Sequence, residues 1–200
     1  IDSNHTISKT SFLILIISAL VQYYDYHLFG FVIAKLSVVF FPSKDAAQSL
    51  SKAYYIVFLS YLTKPLGSMI LGKIGDSRGR SYALSLSLII MSVSSLIVAL
   101  LPSYEKAGML SIYLLLMARM LTTGSVGPGT DGIRIFIFEH VHHKRRCLGE
   151  GLATSSCLVG SFVAAASAAF FSSSNLGPDA WRIAFLLGSF MSLIILLAKY

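Results

Sequence analysis

Charged side chains are scarce in this sequence. Asp, Glu, Lys and Arg make up 12% of its 200 residues, about half of the ~25% typical of soluble domains. Hydrophobic residues make up 55%, and the mean hydropathy is +0.73. This composition excludes an ordinary soluble domain and predicts a membrane protein with several spans. The net charge of +7 falls mostly between apolar runs, where membrane topology explains it, so we expect no nucleic-acid partner.

Cysteine is almost absent. Cys147 and Cys157 are too few for a disulfide framework, and their spacing matches no metal or redox motif. The basic stretch 139–150 contains three histidines, but no carboxylate or thiol accompanies them at the spacing of a zinc site. We therefore expect neither a bound metal nor an organic cofactor.

Long apolar runs account for most of the chain. A transmembrane helix needs about 20 apolar residues to cross a hydrocarbon core of about 30 Å. Six runs satisfy this length, and we predict an all-α membrane protein in which residues 1–200 form one domain. The predicted spans of this six-helix bundle are 11–34, 52–71, 82–101, 109–138, 148–171 and 180–198.

A glycine-rich, charged stretch joins the second and third predicted spans. It reads Gly72-Lys-Ile-Gly-Asp-Ser-Arg-Gly-Arg80 and predicts a tight loop on the cytoplasmic side, where bases accumulate. Counting the other bases places both termini in the cytoplasm as well. Asp76 is one acid among three bases, which favours a fixed charge network, although a solvated loop without fixed ion pairs remains the alternative.

Two charged residues fall deep inside predicted spans. Asp25 lies about 14 residues into the first span, ~21 Å deep, and Arg119 lies about ten residues into the fourth, ~15 Å deep. Such groups cost at least ~2.5–3.5 kcal/mol in a bilayer and face the bundle interior or water. We predict that both face one cavity, paired directly or through water or substrate. For Asp25, the alternative is that its side chain reaches the outer membrane surface.

Several motifs resemble those of the major facilitator superfamily. The stretch 72–80 resembles the signature Gly-x-x-x-Asp-Arg-x-Gly-Arg between helices 2 and 3, with Ser77 in place of the first Arg. Other segments are similar to motifs of the metabolite:H+ symporter family of proline/betaine, citrate and 2-oxoglutarate permeases. They are Gln22-Tyr-Tyr-Asp-Tyr-His-Leu-Phe-Gly30, Phe40-Phe-Pro42, Lys64-Pro-Leu-Gly67, Leu101-Pro-Ser-Tyr104 and Ala180-Trp-Arg-Ile-Ala-Phe185.

This resemblance implies the N-terminal half of a major facilitator fold, a 3+3 inverted repeat in the cell inner membrane. It implies proton-coupled symport of a small osmolyte or carboxylate by alternating access, with the proton gradient as the coupling source. The partners would be the lipid bilayer, the substrate, and a C-terminal half or a second copy. The implied substrate and proton pathway comprises Gln22, Tyr24, Asp25, Arg119 and Ser125. The implied cytoplasmic gate comprises Gly72, Asp76, Arg78, Gly79, Arg80 and Glu139.

The sequence also departs from the family pattern. Gly129 stands where the family has a Glu in helix 4, and Gln22 replaces a Glu in helix 1. Asp131 is near Gly129 but about 200° away around a helix, so it replaces the lost acid only if Pro128 unwinds the backbone. The family has about twelve helices, whereas we predict six. A degenerate half-transporter without activity and a half-size subunit that needs a second half therefore both remain open.

Overall fold

The computed structural model describes residues 8–141, 145–173, 177 and 179–199, except for the side chains of Lys9 and Ser173. His142, His143 and both chain termini lie outside these ranges. The described elements are eight α-helices: α1 Lys9–Phe40, α2 Ala46–Tyr61, α3 Thr63–Arg78, α4 Arg80–Leu100, α5 Tyr104–Ala107, α6 Met109–His140, α7 Arg146–Ser173 and α8 Trp181–Ala198. Six segments of the described chain are long and apolar enough to cross a membrane, with α2 and α3 together counting as one. The predicted fold class is confirmed.

The first and fourth spans are longer than predicted. The polar residues from Gln22 to His27 do not interrupt α1, which continues to Phe40, whose ring is fully buried against Trp181 with ring centroids 6.1 Å apart. Helix α6 continues to His140, so Glu139 is helical and does not begin a loop. At about 1.5 Å per residue, each 32-residue helix is about 48 Å long and extends beyond the hydrocarbon core.

The second span is broken near its middle. It begins at Ala46, earlier than predicted, and changes from α2 to α3 at Leu62. Pro65 explains the break, since it has no N–H and its ring clashes with the carbonyl four residues earlier, at the end of α2. At the break, Thr63 Oγ1 lies 2.6 Å from the carbonyl oxygen of Ser60 and 3.0 Å from that of Met120 on α6, and its one proton is shared between them.

The predicted loop at 72–80 is wrong in extent. Helix α3 continues to Arg78 and α4 begins at Arg80, so Gly79 alone forms the connection. Its φ of 96° lies in the left-handed region, which glycine adopts without a Cβ clash. The charged residues of this motif therefore lie on two helix ends of fixed geometry.

Close approaches between backbones hold the bundle together. Helix α1 packs against α7, α8, α6 and α2, while α4 packs against α6 and α8, and α3 against α6. A Cβ on Gly160 in α7 would collide with the Leu20 carbonyl of α1, and a Cβ on Gly67 in α3 would collide with the Gly124 carbonyl of α6. Small residues allow this contact, which is the usual basis of helix association in membranes.

Candidate functional site

Asp25 lies between helices and not in an open cavity. Its side chain is 2% exposed, and Ser95 Oγ on α4 lies 2.7 Å from Oδ1. On α8, a Cβ added to Gly188 would lie 3.2 Å from the Asp25 Cγ. The second carboxylate oxygen, Oδ2, is buried and has no hydrogen-bond partner among the described residues. The carboxyl group therefore points from α1 toward α4 and α8, and half of its accepting capacity is unused.

Arg119 is buried without an anion. It is 5% exposed, and its guanidinium carbon lies 4.2 Å from the centroid of the Phe29 ring. Its Nε has no acceptor, and no carboxylate oxygen of the described chain lies within 4.0 Å of the guanidinium. Cation–π contact with Phe29 is worth about 2 kcal/mol when desolvated, which does not replace the hydrogen bonds that five N–H donors make in water.

The predicted pair of Asp25 and Arg119 is therefore not a direct ion pair. Both residues are buried in the bundle, but the described structure holds no contact within 4.0 Å between them. Asp25 turns toward Ser95, and Arg119 lies against Phe29. A bridge through water or substrate stays a prediction.

Gln22 and Gly129, the two sites where the family has an acid, are in contact. Gln22 is 0% exposed, and neither its Oε1 nor its Nε2 has a partner in the described structure. A Cβ on Gly129 would collide with Gln22 Oε1 and would lie 2.8 Å from Ser87 Oγ. The amide thus fills the space that a side chain at 129 would need. The sequence shows both departures from the family pattern, but it does not show that the two residues pack against each other.

Asp131 does not take the place of the lost acid. Pro128 lies inside α6, and the helix continues through it, so Asp131 stays on another face. Its side chain is 65% exposed and lies 3.7 Å from Arg134. The condition on which Asp131 would replace the lost acid, an unwound backbone at Pro128, is not met, because α6 continues through that residue.

Tyr24 and Ser125 make hydrogen bonds inside the bundle. The hydroxyl of Tyr24 donates to the carbonyl of Ala184 at 3.0 Å, which joins α1 to α8. The hydroxyl of Ser125 donates to the carbonyl of Thr122 at 3.0 Å within α6. Because a backbone carbonyl already accepts each proton, the structure gives these two hydroxyls a packing role, and their place in a pathway stays a prediction.

A second intramembrane cation was not among the predicted site residues. Lys64 lies in the first turn of α3, near the middle of the span Ala46–Arg78. Its Nζ lies 5.6 Å from the ring centroid of Tyr26 and 5.9 Å from that of Tyr61. The two rings are joined by a hydrogen bond of 2.8 Å from Tyr26 Oη to Tyr61 Oη. No carboxylate of the described chain lies within 4.0 Å of Lys64. The sequence feature that could have identified Lys64 is a lysine in the middle of a predicted span, directly before a proline.

The predicted gate residues meet at the other end of the bundle. Arg80 Nη2 lies 2.9 Å from Asp76 Oδ1, whereas Arg78 Nη1 donates to Tyr82 Oη at 3.4 Å and stacks over that ring. Glu139 lines a cavity of about 470 Å³ together with Asp76 and Arg80, but it forms no ion pair within 4.0 Å in the described structure. The network therefore contains one ion pair, with Glu139 across a shared cavity.

The chain is similar in sequence to one protein family and to several known proteins. The family model described as "Sugar (and other) transporter" matches residues 11–199. The chain is 34% identical to the glycine betaine/proline/ectoine/pipecolic acid transporter OusA of Dickeya dadantii, over 90% of this chain and 36% of that protein. It is 31% identical to the proline/betaine transporter of Escherichia coli, over 90% of this chain and 37% of that protein.

The fold is similar to that of solved transporters. The crystal structure of D-xylose-proton symporter matches 96% of this chain and 47% of that chain, with a TM-score of 0.81 and 16% identity. The inward open conformation of the xylose transporter XylE from E. coli matches with the same TM-score and 17% identity, over 95% of this chain and 47% of that one. At this identity, the likeness concerns the fold alone. The chain thus spans less than half the length of the relatives and structures that it matches.

Proposed function

Because the chain belongs to the sugar (and other) transporter family of the major facilitator superfamily, we propose that it forms the N-terminal half of a secondary active transporter. The substrate is a small osmolyte or carboxylate metabolite of the proline and betaine type, carried with protons by alternating access. Relatives at 31 to 34% identity with such names support this assignment. The working partners are bilayer lipids, the substrate, and a C-terminal half or a second copy.

Arg119 is the observation that carries the proposal. A guanidinium near the centre of a span, in a residue that is 5% exposed and whose Nε has no acceptor among the described residues, needs an anion or water to offset its desolvation. Its planar fork fits a carboxylate through two parallel hydrogen bonds. Proline and betaine share a carboxylate, so a ligand of this class supplies the group that Arg119 lacks.

Asp25 is the proposed proton carrier. It is the one acid that is buried in the described part of the chain, and its Oδ2 is free to accept a proton. An intramembrane acid of this kind marks a proton path by default. Ser95 holds the other oxygen, so the carboxyl keeps its orientation whether it is charged or neutral.

The proposed setting is the cell inner membrane, with both termini in the cytoplasm. The Asp76–Arg80 pair and the cavity that it shares with Glu139 then lie at the cytoplasmic end, as the excess of bases at 72–80 indicates. There they act as the gate that closes when the bundle rocks against its partner.

A second candidate is a chain that binds substrate without transporting it. The contact between Gln22 and Gly129 favours this alternative, because a neutral amide fills the site where the family has acids. Proton transfer would then depend on Asp25 alone. Both candidates predict ligand binding by this chain, and they differ in whether proton-coupled uptake occurs once the chain is combined with a second half.

The test of the proposed function is ligand binding. Labelled glycine betaine or proline should bind saturably to the purified chain in lipid nanodiscs, and Arg119→Met should abolish that binding. Arg134→Met is the matched control, because Arg134 is paired with exposed Asp131 and should bind as the unchanged chain does. Absence of saturable binding to the unchanged chain would overturn the proposal.

Transport is tested separately. Cells that express only these 200 residues should take up labelled proline, betaine and 2-oxoglutarate no faster than empty-vector cells, because alternating access needs two halves. Uptake that depends on the proton gradient and is lost in Asp25→Asn would contradict this expectation and would favour a homodimer.

A further inference from the structure

We infer that Lys64 and Arg119 together form the seat for the ligand's carboxylate, and that the rings of Tyr26 and Tyr61 hold the Lys64 ammonium while the seat is empty. The inference rests on the proposed function, since it concerns the same ligand. It adds a residue, Lys64, and a mechanism for keeping that residue ready, neither of which follows from the family match.

The first argument is the balance of charge. Lys64 and Arg119 both lie well inside membrane spans, and neither has a carboxylate within 4.0 Å in the described structure. Asp25 is the buried acid of the described chain, but it accepts from Ser95 and points toward α4 and α8. Two intramembrane cations therefore lack a fixed counter-ion, and an anionic ligand provides one.

The second argument is the geometry of the backbone between these cations. Thr63, the neighbour of Lys64, places its Oγ1 3.0 Å from the carbonyl oxygen of Met120, the neighbour of Arg119, and shares its proton between that oxygen and the carbonyl of Ser60. The stem of Lys64 lies along α6, where a methyl group on Gly127 would be 3.7 Å from Lys64 Cε. The two cations therefore project from directly touching turns of α3 and α6. Lys64 lies over Tyr26, and Arg119 lies over Phe29, three residues further along α1, so both cations face α1.

The third argument is the weakness of the contacts that Lys64 now makes. Its Nζ lies 5.6 and 5.9 Å from the two tyrosine rings, within the range of a cation–π contact, and it makes no hydrogen bond to any residue that the structure describes. Lys64 is half-buried, whereas Tyr61 is 46% exposed. A carboxylate offers the ammonium a charge-assisted hydrogen bond, which is stronger than a cation–π contact. Lys64 can therefore leave the rings when a ligand enters.

The tyrosine pair offers a further donor to the same ligand. Tyr26 Oη donates to Tyr61 Oη, so the proton of Tyr61 is available to a ligand oxygen. The seat then consists of a guanidinium fork, an ammonium and a phenol, all of which donate. A ligand without a carboxylate finds only donors and positive charge there. We therefore expect choline, which has the quaternary ammonium of glycine betaine without its carboxylate, not to bind.

The experiment compares variants of the chain in lipid nanodiscs, with binding of labelled glycine betaine as the readout. Lys64→Met should weaken binding by about tenfold or more, as expected when one member of a charged contact is removed. Lys64→Arg should keep most of the affinity, and Tyr61→Phe should weaken it by a smaller factor. Lys52→Met removes the same charge from an exposed position on α2 and should bind as the unchanged chain does. Unlabelled proline should displace the label, whereas choline should not.

The outcomes separate this inference from the proposed function. If the unchanged chain binds glycine betaine but Lys64→Met binds equally well, the inference is wrong and the proposed function stands. Displacement by choline would also overturn the carboxylate seat while leaving transport of betaine-like ligands intact. If the unchanged chain binds neither glycine betaine nor proline, both fail. A thermal unfolding midpoint for Lys64→Met within about 2 °C of the unchanged chain shows that lost binding is not lost folding.

Discussion

The contact between Gly67 and Gly124 leads to a sharp prediction about stability. Gly67→Ala in α3 should destabilise the bundle, whereas Gly72→Ala, one and a half turns further along the same helix, should not. A Cβ on Gly67 would collide with the Gly124 carbonyl and would lie only 2.6 Å from the Gly124 Cα, while a Cβ on Gly72 meets no atom of the described residues within 4 Å. The two substitutions are chemically identical and differ only in what the new methyl group meets.

The magnitude follows from two opposing effects. Alanine gains about 1 kcal/mol over glycine in a helix interior, and both variants receive this gain. Carbon atoms pack at about 3.5–4.0 Å, so α3 and α6 must separate by about 1 Å to admit the methyl group on Gly67. Overpacking of this kind costs about 1–3 kcal/mol, occasionally more, and backbone atoms cannot swing aside. The separation also strains the hydrogen bond from Thr63 to Met120. We expect Gly67→Ala to be about 2–4 kcal/mol less stable than Gly72→Ala.

The assay uses the two native thiols. Cys157 is buried and Cys147 is exposed, so in a Cys147→Ser background a thiol-reactive dye reports unfolding through Cys157. At one scan rate in one detergent, the Gly67→Ala midpoint should lie about 4–16 °C below that of Gly72→Ala, at about 2–4 °C per kcal/mol. If Gly67→Ala unfolds at the same temperature as Gly72→Ala or above it, the close contact between α3 and α6 is refuted.

Three further predictions concern other parts of the bundle. In intact cells that express the chain without its two native cysteines, an impermeant maleimide should label Ser103→Cys and spare Ser77→Cys. The reverse labelling pattern would refute the cytoplasmic placement of residue 77. Asp76→Asn should lower the free energy of unfolding by no more than about 1 kcal/mol, because the ion pair of Asp76 with Arg80 is exposed. A fall in the unfolding midpoint of more than about 4 °C would contradict this exposed position of the pair. Gly129→Ala should destabilise the chain, and adding Gln22→Ala should recover most of the loss, since the new methyl group collides with the amide of Gln22. Additive effects in that double-mutant cycle would show that the two residues do not touch.

The fold could be predicted from the sequence because membrane spans obey a simple rule. Runs of about 20 apolar residues must be helices in a bilayer, and all six predicted spans contain a described helix. The ends were harder to predict, because polar residues such as Glu139 remain helical once a span projects beyond the hydrocarbon core. The break at Leu62 follows from Pro65, which the sequence shows, but its position within one turn does not.

The site was less predictable, because the sequence indicates how deep a residue lies in the membrane but not which neighbouring helix its side chain faces. Depth along a helix placed Asp25 and Arg119 inside the membrane, and both are buried. Which neighbour each side chain faces depends on the rotation of three helices, and Asp25 contacts Ser95 and forms no ion pair with Arg119 in the described structure. Lys64 was passed over because a single cation in mid-span has no partner in the linear sequence. The tyrosines that surround it come from α1 and α2 and meet only in the folded chain.

The connection through Gly79 limits how α3 can move. A single linking residue keeps the Cα atoms of Arg78 and Arg80 within about 7 Å of each other, so α3 cannot slide along α4 and can only pivot about that point. Lys64 lies 15 residues from this pivot, a lever arm of about 22 Å at the helical rise. A tilt of about 5° therefore displaces the lysine by about 2 Å at mid-membrane while the pivot end stays in place. The proposed movement of the Lys64 ammonium from its tyrosine rings to an incoming carboxylate thus needs only a small change in the tilt of α3, while Asp76, three residues from the pivot, moves by only about 0.4 Å.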